Sequence, residues 1–254
     1  MSSPVHFVLV HGACHGGWCW YRIKSLLESA GHKVSCPDLK SLGIDPSNAD
    51  TVFKFDEFNE PLYGTLSELG NDEKVILVAH SVGGLSAMAA MYKYIQKIQA
   101  AVFVAAAMVR DTSSGQVPDF ISNDKIFDYH FGEGFDKPPT SIMVKKDAGR
   151  KYFYQRSPLE DSTLAGMLLK PQPVRALMDA KFGDDDVKID DVPRVYIKTL
   201  DDNLMPSDRQ DDMIEQWPPS DLYTIDSDHS AFFSNPLELF GLLLKVAAKY
   251  GVPN

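Results

Sequence analysis

The stretch Lys74-Val-Ile-Leu-Val-Ala-His-Ser-Val-Gly-Gly-Leu85 constrains this chain more than any other. Val75 to Val78 is a short, unbroken apolar run of the kind that forms a parallel strand buried on both faces. It runs into Ala79-His80-Ser81-Val82-Gly83-Gly84 and then into Leu85 to Tyr94, a segment rich in small residues that reads as a helix. Strand, sharp Gly-bounded turn and helix make a nucleophile elbow. Such a turn leaves a serine hydroxyl exposed at the strand end and turns the next backbone N–H toward the reacting oxygen. Ser81 is thus a candidate nucleophile and the Val82 N–H a candidate oxyanion donor. The usual pattern begins with Gly where this chain has Ala79. The competing reading is an ordinary strand–helix turn with a capping serine. Only partners elsewhere in the chain separate the two.

The first partner lies near the start. His6 to Val10 reads as a buried strand, followed by His11-Gly-Ala-Cys-His-Gly-Gly-Trp18. This glycine-rich loop fits neither dinucleotide nor Walker spacing, and no Lys-Ser/Thr follows it. It fits better as the second half of an oxyanion hole, with Ala13 placed to give its N–H. His11 and His15 are expected to brace this loop or line a pocket rather than act as a catalytic pair.

The other partners lie far downstream. Arg194 to Thr199 returns to the strand pattern and ends in Leu200-Asp-Asp-Asn203. Leu222 to Ile225 is a second strand and ends in Asp226-Ser-Asp-His229. One loop offers an acid and the other a histidine, in the order serine, acid, histidine of α/β-hydrolases. A neutral hydroxyl is a poor nucleophile at pH 7, so Ser81 needs His229 to take its proton. A buried carboxylate on the other ring nitrogen fixes the tautomer and stabilises the imidazolium. Asp228 is expected to brace the loop.

Between these landmarks, helices are expected over Trp18 to Ala30, ending at Gly31, and over Asp56 to Leu69, ending at Gly70. Strands are expected at Lys33 to Cys36 and Gln99 to Ala107, with a polar loop from Ser41 to Phe53 and a closing helix from Leu237 to Tyr250. Alternating strands and helices predict an α/β fold: a mostly parallel sheet with helices on both faces and ligands beyond the strands' carboxyl ends. From 109 to 191 the pattern breaks, which predicts an inserted cap between two core segments, 1–108 and 192–254. Its aromatics include Phe127, Tyr129, Phe153 and Tyr154. Most are expected to form a small core and a few to reach a substrate. Its one clean helix runs from Pro158 to Leu169, with Ser157 as N-cap and Glu160 at capping-box spacing. Gly183-Asp-Asp-Asp186 reads as a solvated turn rather than a metal site.

Composition narrows the function. With 254 residues the chain suits one large domain with an insertion. A net charge of −10 argues against nucleic acid or an anionic membrane as partner. Three cysteines, all near the N-terminus, make no disulfide framework and suggest a reduced compartment. No leader pattern or membrane-length run is visible, so a cytoplasmic protein is expected.

The runs His6-Phe-Val-Leu-Val-His-Gly12, Gly17-Trp-Cys-Trp20, Leu26-Leu-Glu-Ser-Ala-Gly-His-Lys-Val34, Lys74-Val-Ile-Leu77, Ser157-Pro-Leu-Glu-Asp161 and Asp228-His229 resemble one family. It is the plant α/β-hydrolase family of methylesterases and hydroxynitrile lyases. The resemblance implies a triad of Ser81, Asp202 (rather than Asp201) and His229, with the N–H groups of Ala13 and Val82 as the oxyanion hole. It implies no metal or cofactor, a small-molecule ester as partner and a homodimer. Substrate-pocket positions are expected at Gly12, His15, Phe127, Tyr129 and Ser230. A lyase of this type resembles a site with Thr after the first-strand histidine and Lys after the catalytic one. Here those positions are Gly12 and Ser230, which favours hydrolysis of a metabolite methyl ester, of hormone or alkaloid type. Decarboxylation would follow where the acid is a β-keto or β-aldehydo acid. The alternatives are a hydroxynitrile lyase and a catalytically silent small-ligand receptor. Three departures stand out: Ala79, Ser230, and an insertion that is short between Pro173 and Val192.

Overall fold

In the computed structural model, residues 4–110, 123–183 and 187–251 are described. The polar run from 111 and the acidic residues 184–186 therefore lie outside the described residues. The central sheet holds six strands, β1 (His6–Val10), β2 (Lys33–Ser35), β3 (Val75–His80), β4 (Ile98–Val104), β8 (Arg194–Thr199) and β9 (Asp221–Ile225). Their spatial order is β2-β1-β3-β4-β8-β9, and all five pairings are parallel. All residues of β1 and β3 are buried, as expected of unbroken apolar runs in a sheet covered on both faces. Because β1, β3 and β4 are parallel neighbours, the loops after β1 and β3 emerge at the same edge.

A three-stranded antiparallel sheet interrupts the pattern between β4 and β8. It comprises β5 (Phe127–His130), β6 (Ser141–Val144) and β7 (Gln172–Pro173), with a helix from Leu159 to Leu168. The insertion is tied to the core by polar contacts. Thr140 Oγ1 and Ser141 Oγ both donate to Asp50 Oδ1, at 2.6 and 2.7 Å. Tyr21 and Arg22 reach the buried Asp161 carboxylate at 2.7 and 3.0 Å.

Two local expectations change. The single helix over Asp56–Leu69 is two, Phe55–Phe58 and Glu60–Ser67. Pro61 has no N–H to give the preceding turn, so the first helix stops, and Pro61 sits in the first turn of the second. The Asn59 amide donates to Phe55 O across the break at 2.8 Å. Ser157 does not cap the Leu159–Leu168 helix, which has Pro158 at its N-cap and no side-chain cap bond. The Ser157 hydroxyl instead donates to Asp228 at 2.9 Å. A buried carboxylate outcompetes a helix N–H for it.

The elbow is packed backbone against backbone. A Cβ on Gly84 would stand 2.0 Å from Ala107 O, a backbone atom that cannot swing away. A Cβ on Gly64, inside the Glu60–Ser67 helix, would meet nothing within 4 Å. Gly84→Ala should therefore cost about 3 kcal/mol or more of stability through overpacking. Gly64→Ala should add about 0.5–1 kcal/mol through helix propensity. Urea unfolding midpoints of the two variants check this, and equal midpoints would contradict it.

Candidate active site

Strand β3 delivers Ser81 at φ +56, a left-handed conformation uncommon for a residue with a Cβ. The surroundings hold it there. Ser81 O accepts from Ala107 N at 2.9 Å and Gly84 N at 3.1 Å, and the Gly83–Lys93 helix starts two residues later. Glycine is required at 83 because a Cβ would stand 2.4 Å from His11 O. The helix N-terminus thus presses onto the loop after β1, which brings Ser81 beside Gly12 and Ala13. Ala79 is fully buried within β3, paired with Val10 and Phe103, where its methyl group is accommodated.

His229 and Asp202 meet here across 27 residues of chain. Asp202 Oδ2 lies 2.8 Å from His229 Nδ1, both side chains fully buried. The carboxylate is satisfied on every side: Oδ1 accepts from Leu204 N and Met205 N at 2.9 and 2.7 Å, and Oδ2 from Thr199 Oγ1 at 2.8 Å. Such a ring of donors fixes the direction in which the carboxylate points. Asp201 points elsewhere; its carboxylate is exposed and lies 3.7 Å from Arg156. On the far side of the ring, His229 Nε2 is buried with no hydrogen-bond partner among the described residues. An imidazole locked on one nitrogen and open on the other is built to take a proton.

The histidine loop is braced by Asp228. Its Oδ2 accepts from Arg156 N, Ser157 N and Ser157 Oγ at 2.8–2.9 Å, and its Oδ1 from Ser230 N at 3.0 Å. Arg156 also pairs with Asp226. Among the described residues, the N–H groups of Ala13 and Val82 make no hydrogen bond. Both are thus open donors.

Of the expected pocket positions, Gly12 lies against the elbow: a Cβ there would stand 2.9 Å from Ser81 Cβ and 3.0 Å from His80 Nδ1. His15 is a loop brace: its Nδ1 contacts Ala13 O at 2.7 Å and its Nε2 contacts Tyr154 Oη at 2.6 Å. Phe127 is buried and packs edge-on against Phe153, whose ring centroid lies 5.6 Å from that of His229. Tyr129 is half-buried on the same strand. Ser230 is fully buried, with its hydroxyl unpartnered among the described residues.

Several residues that serve the site carry no signal of their own in the sequence. His80 Nε2 donates to the His229 carbonyl at 2.8 Å, linking elbow and histidine loop. Thr199 holds Asp202 and is itself held by Gln210. Phe153, Tyr154 and Phe232 pack around the histidines. Position relative to the serine and histidine motifs could have flagged His80; nothing local could have flagged the others.

Burial keeps these histidines neutral. It lowers His15 to about 3, with neighbouring His11 and His229 adding to the effect. It also lowers His11 and takes His80 well below the ordinary 6.5. Burial raises the Cys14 thiol to about 12, so it is no thiolate nucleophile. In a heteronuclear NMR titration, His15 should remain neutral at pH 5, and His11 and His80 should titrate below the ordinary 6.5. Unfolding releases them to charge near 6.5, so their stabilisation is complete above that pH. It is lost as pH falls toward the folded value, about 3 for His15. Each contributes a slope of about 1.4 kcal/mol per pH unit within its window. A ring titrating normally near 6.5 would contradict this burial.

Comparison with known proteins now adds a family. The model described as "Alpha/beta hydrolase family" matches residues 7–241. A pheophorbidase of Raphanus sativus is 48% identical over 251 residues, covering 97% of this chain and 95% of its own. The crystal structure of the methylesterase MES16 from Arabidopsis superposes with a TM-score of 0.89 at 46% identity, covering 96% of this chain and 99% of its own. Polyneuridine aldehyde esterase gives a TM-score of 0.84 at 32% identity, covering 96% and 99%. With its six parallel strands and near-complete match to plant methylesterases, this chain belongs to the alpha/beta hydrolase family and is a carboxylic ester hydrolase of the methylesterase type.

Proposed function

We propose that the chain hydrolyses the methyl ester of a plant metabolite through Ser81, His229 and Asp202. The observation that carries this reading is the buried Asp202–His229 pair at 2.8 Å, with the other ring nitrogen left open beside the elbow. His229 takes the Ser81 proton as the hydroxyl oxygen attacks the ester carbonyl. Asp202 stays charged and stabilises the imidazolium. The N–H groups of Ala13 and Val82 receive the oxyanion as charge develops on the carbonyl oxygen. His229 then gives that proton to the methoxy oxygen as the C–O bond breaks, so methanol leaves and Ser81 is acylated. Water, deprotonated by the same ring, attacks the acyl-enzyme and releases the acid. Each step uses the chain's own groups and water.

Two relatives carry names that direct the choice of ester, a pheophorbidase and a pFDCC methylesterase. Methyl esters of that kind head the panel, followed by hormone and alkaloid methyl esters. Where the freed acid carries a β-carbonyl, loss of CO2 follows without further help from the protein. A lyase reading is disfavoured because Ser230 brings no cation to hold cyanide, and a silent receptor would have no use for a buried acid–histidine pair. The reading also takes the protein to be cytoplasmic, as its cysteine usage suggests, and homodimeric, as the family resemblance implies.

Ser81→Ala and His229→Ala should each lower kcat on a methyl ester by about 10³-fold or more, with folding intact. Asp202→Asn should do nearly as much by favouring the wrong tautomer, whereas Asp201→Asn should be mild. Methanol release measured by mass spectrometry checks all four. Full activity in Ser81→Ala, or efficient wild-type cleavage of mandelonitrile, would overturn the reading.

A further inference from the structure

The loop that presents Ala13 does not hold its own shape. Cys14 sits at φ +63, a left-handed conformation that costs a residue with a Cβ and persists only where neighbours impose it. Those neighbours come from the insertion. Cys14 O accepts from Lys170 N at 2.9 Å, and Cys14 N donates to Gln172 Oε1 at 3.4 Å. Ala13 O contacts His15 Nδ1 at 2.7 Å, and His15 Nε2 contacts Tyr154 Oη at 2.6 Å.

The proton positions in this chain follow from the acceptors. A carbonyl oxygen only accepts, so His15 Nδ1 carries the hydrogen. Burial keeps the ring neutral, so Nε2 is a bare acceptor and Tyr154 Oη–H is its donor. Tyr154 therefore sets the tautomer of His15, and His15 holds the carbonyl of Ala13. The preceding carbonyl, Gly12 O, is held in the same way by His11 Nδ1 at 2.9 Å, while Leu39 N donates to His11 Nε2 at 3.1 Å. The Ala13 N–H thus lies between two fixed carbonyls. His11 belongs to the core, but the brace on the Ala13–Cys14 peptide is lent by the insertion.

We propose that Tyr154, acting through His15, and Gln172 are positioning residues that aim the Ala13 N–H at the oxyanion, so that the insertion completes the catalytic centre as well as covering it. This rests on the proposed ester mechanism. Its consequence is that exchange of the insertion affects turnover of every ester, not only the choice among them.

The test uses full-length protein and a small generic ester, p-nitrophenyl acetate, which makes little use of a selective pocket. Tyr154→Phe keeps the ring in its aromatic packing and deletes only the donor. With Ser81→Ala inactive, Tyr154→Phe should lower kcat by about 10–100-fold with KM within about twofold. That is part of the 10²–10³-fold lost when an oxyanion donor is removed outright. Gln172→Met should act in the same direction. In 15N-histidine spectra, wild-type His15 should carry its proton on Nδ1. In Tyr154→Phe the Nε2 resonance should move downfield, as a bare nitrogen does on losing its donor. Wild-type kcat in Tyr154→Phe, or a rise in KM alone, would overturn the positioning role while leaving the esterase intact. A wild-type His15 protonated on Nε2 would overturn it whether or not the variants fold. An active Ser81→Ala would instead remove the mechanism on which it rests.

Discussion

The structure depends on one forced turn. Ser81 stands at φ +56 because the helix that follows it has to start immediately and pack back against the sheet. Glycine at 83 and 84 lets that helix come within contact distance of His11 O and Ala107 O. The turn brings the β1 loop, the end of β4 and the helix N-terminus to one point. Strain of this kind is tolerable because several backbone hydrogen bonds oppose its relaxation. Lengthening any of these contacts would separate the serine from the donors that surround it.

Around that point the protein spends buried hydrogen bonds on aiming, and few of them are local. Asp202 is gripped by two backbone N–H groups, a threonine hydroxyl and His229. Asp228, one residue before His229, is gripped by the insertion. Two adjacent loops thus carry two buried aspartates with opposite duties, one facing the imidazole and one facing Arg156 and Ser157 of the insertion. A buried carboxylate left unpaired would cost several kcal/mol, so each satisfied acid also fixes the loop that bears it.

The remaining histidines form a neutral frame. His11, His15 and His80 each use a ring nitrogen on a backbone carbonyl of the site, and burial suppresses their charging. Charged rings here would repel an imidazolium at His229. Neutral rings orient peptides without that penalty. Phe153, Tyr154 and Phe232 supply the apolar enclosure that sustains the depression.

The sequence by itself determined the parallel strands, the elbow and the order of serine, acid and histidine. Buried strands and sharp turns announce themselves within ten residues, through unbroken apolar runs and paired glycines. Long-range partners leave no such trace. Ser157 has the spacing of a helix cap, yet its hydroxyl turns to donate to Asp228, 71 residues later. Gly12 follows the first strand, and only the fold brings Ser81 and His80 against it. The break at Asn59 was legible in Pro61 and was masked by the apolar periodicity around it. The link from Tyr154 to His15 spans 139 residues and joins an insertion to a core loop. Only the tertiary structure decided such pairings, because a hydrogen bond is specified by where two groups arrive and not by the local pattern around either.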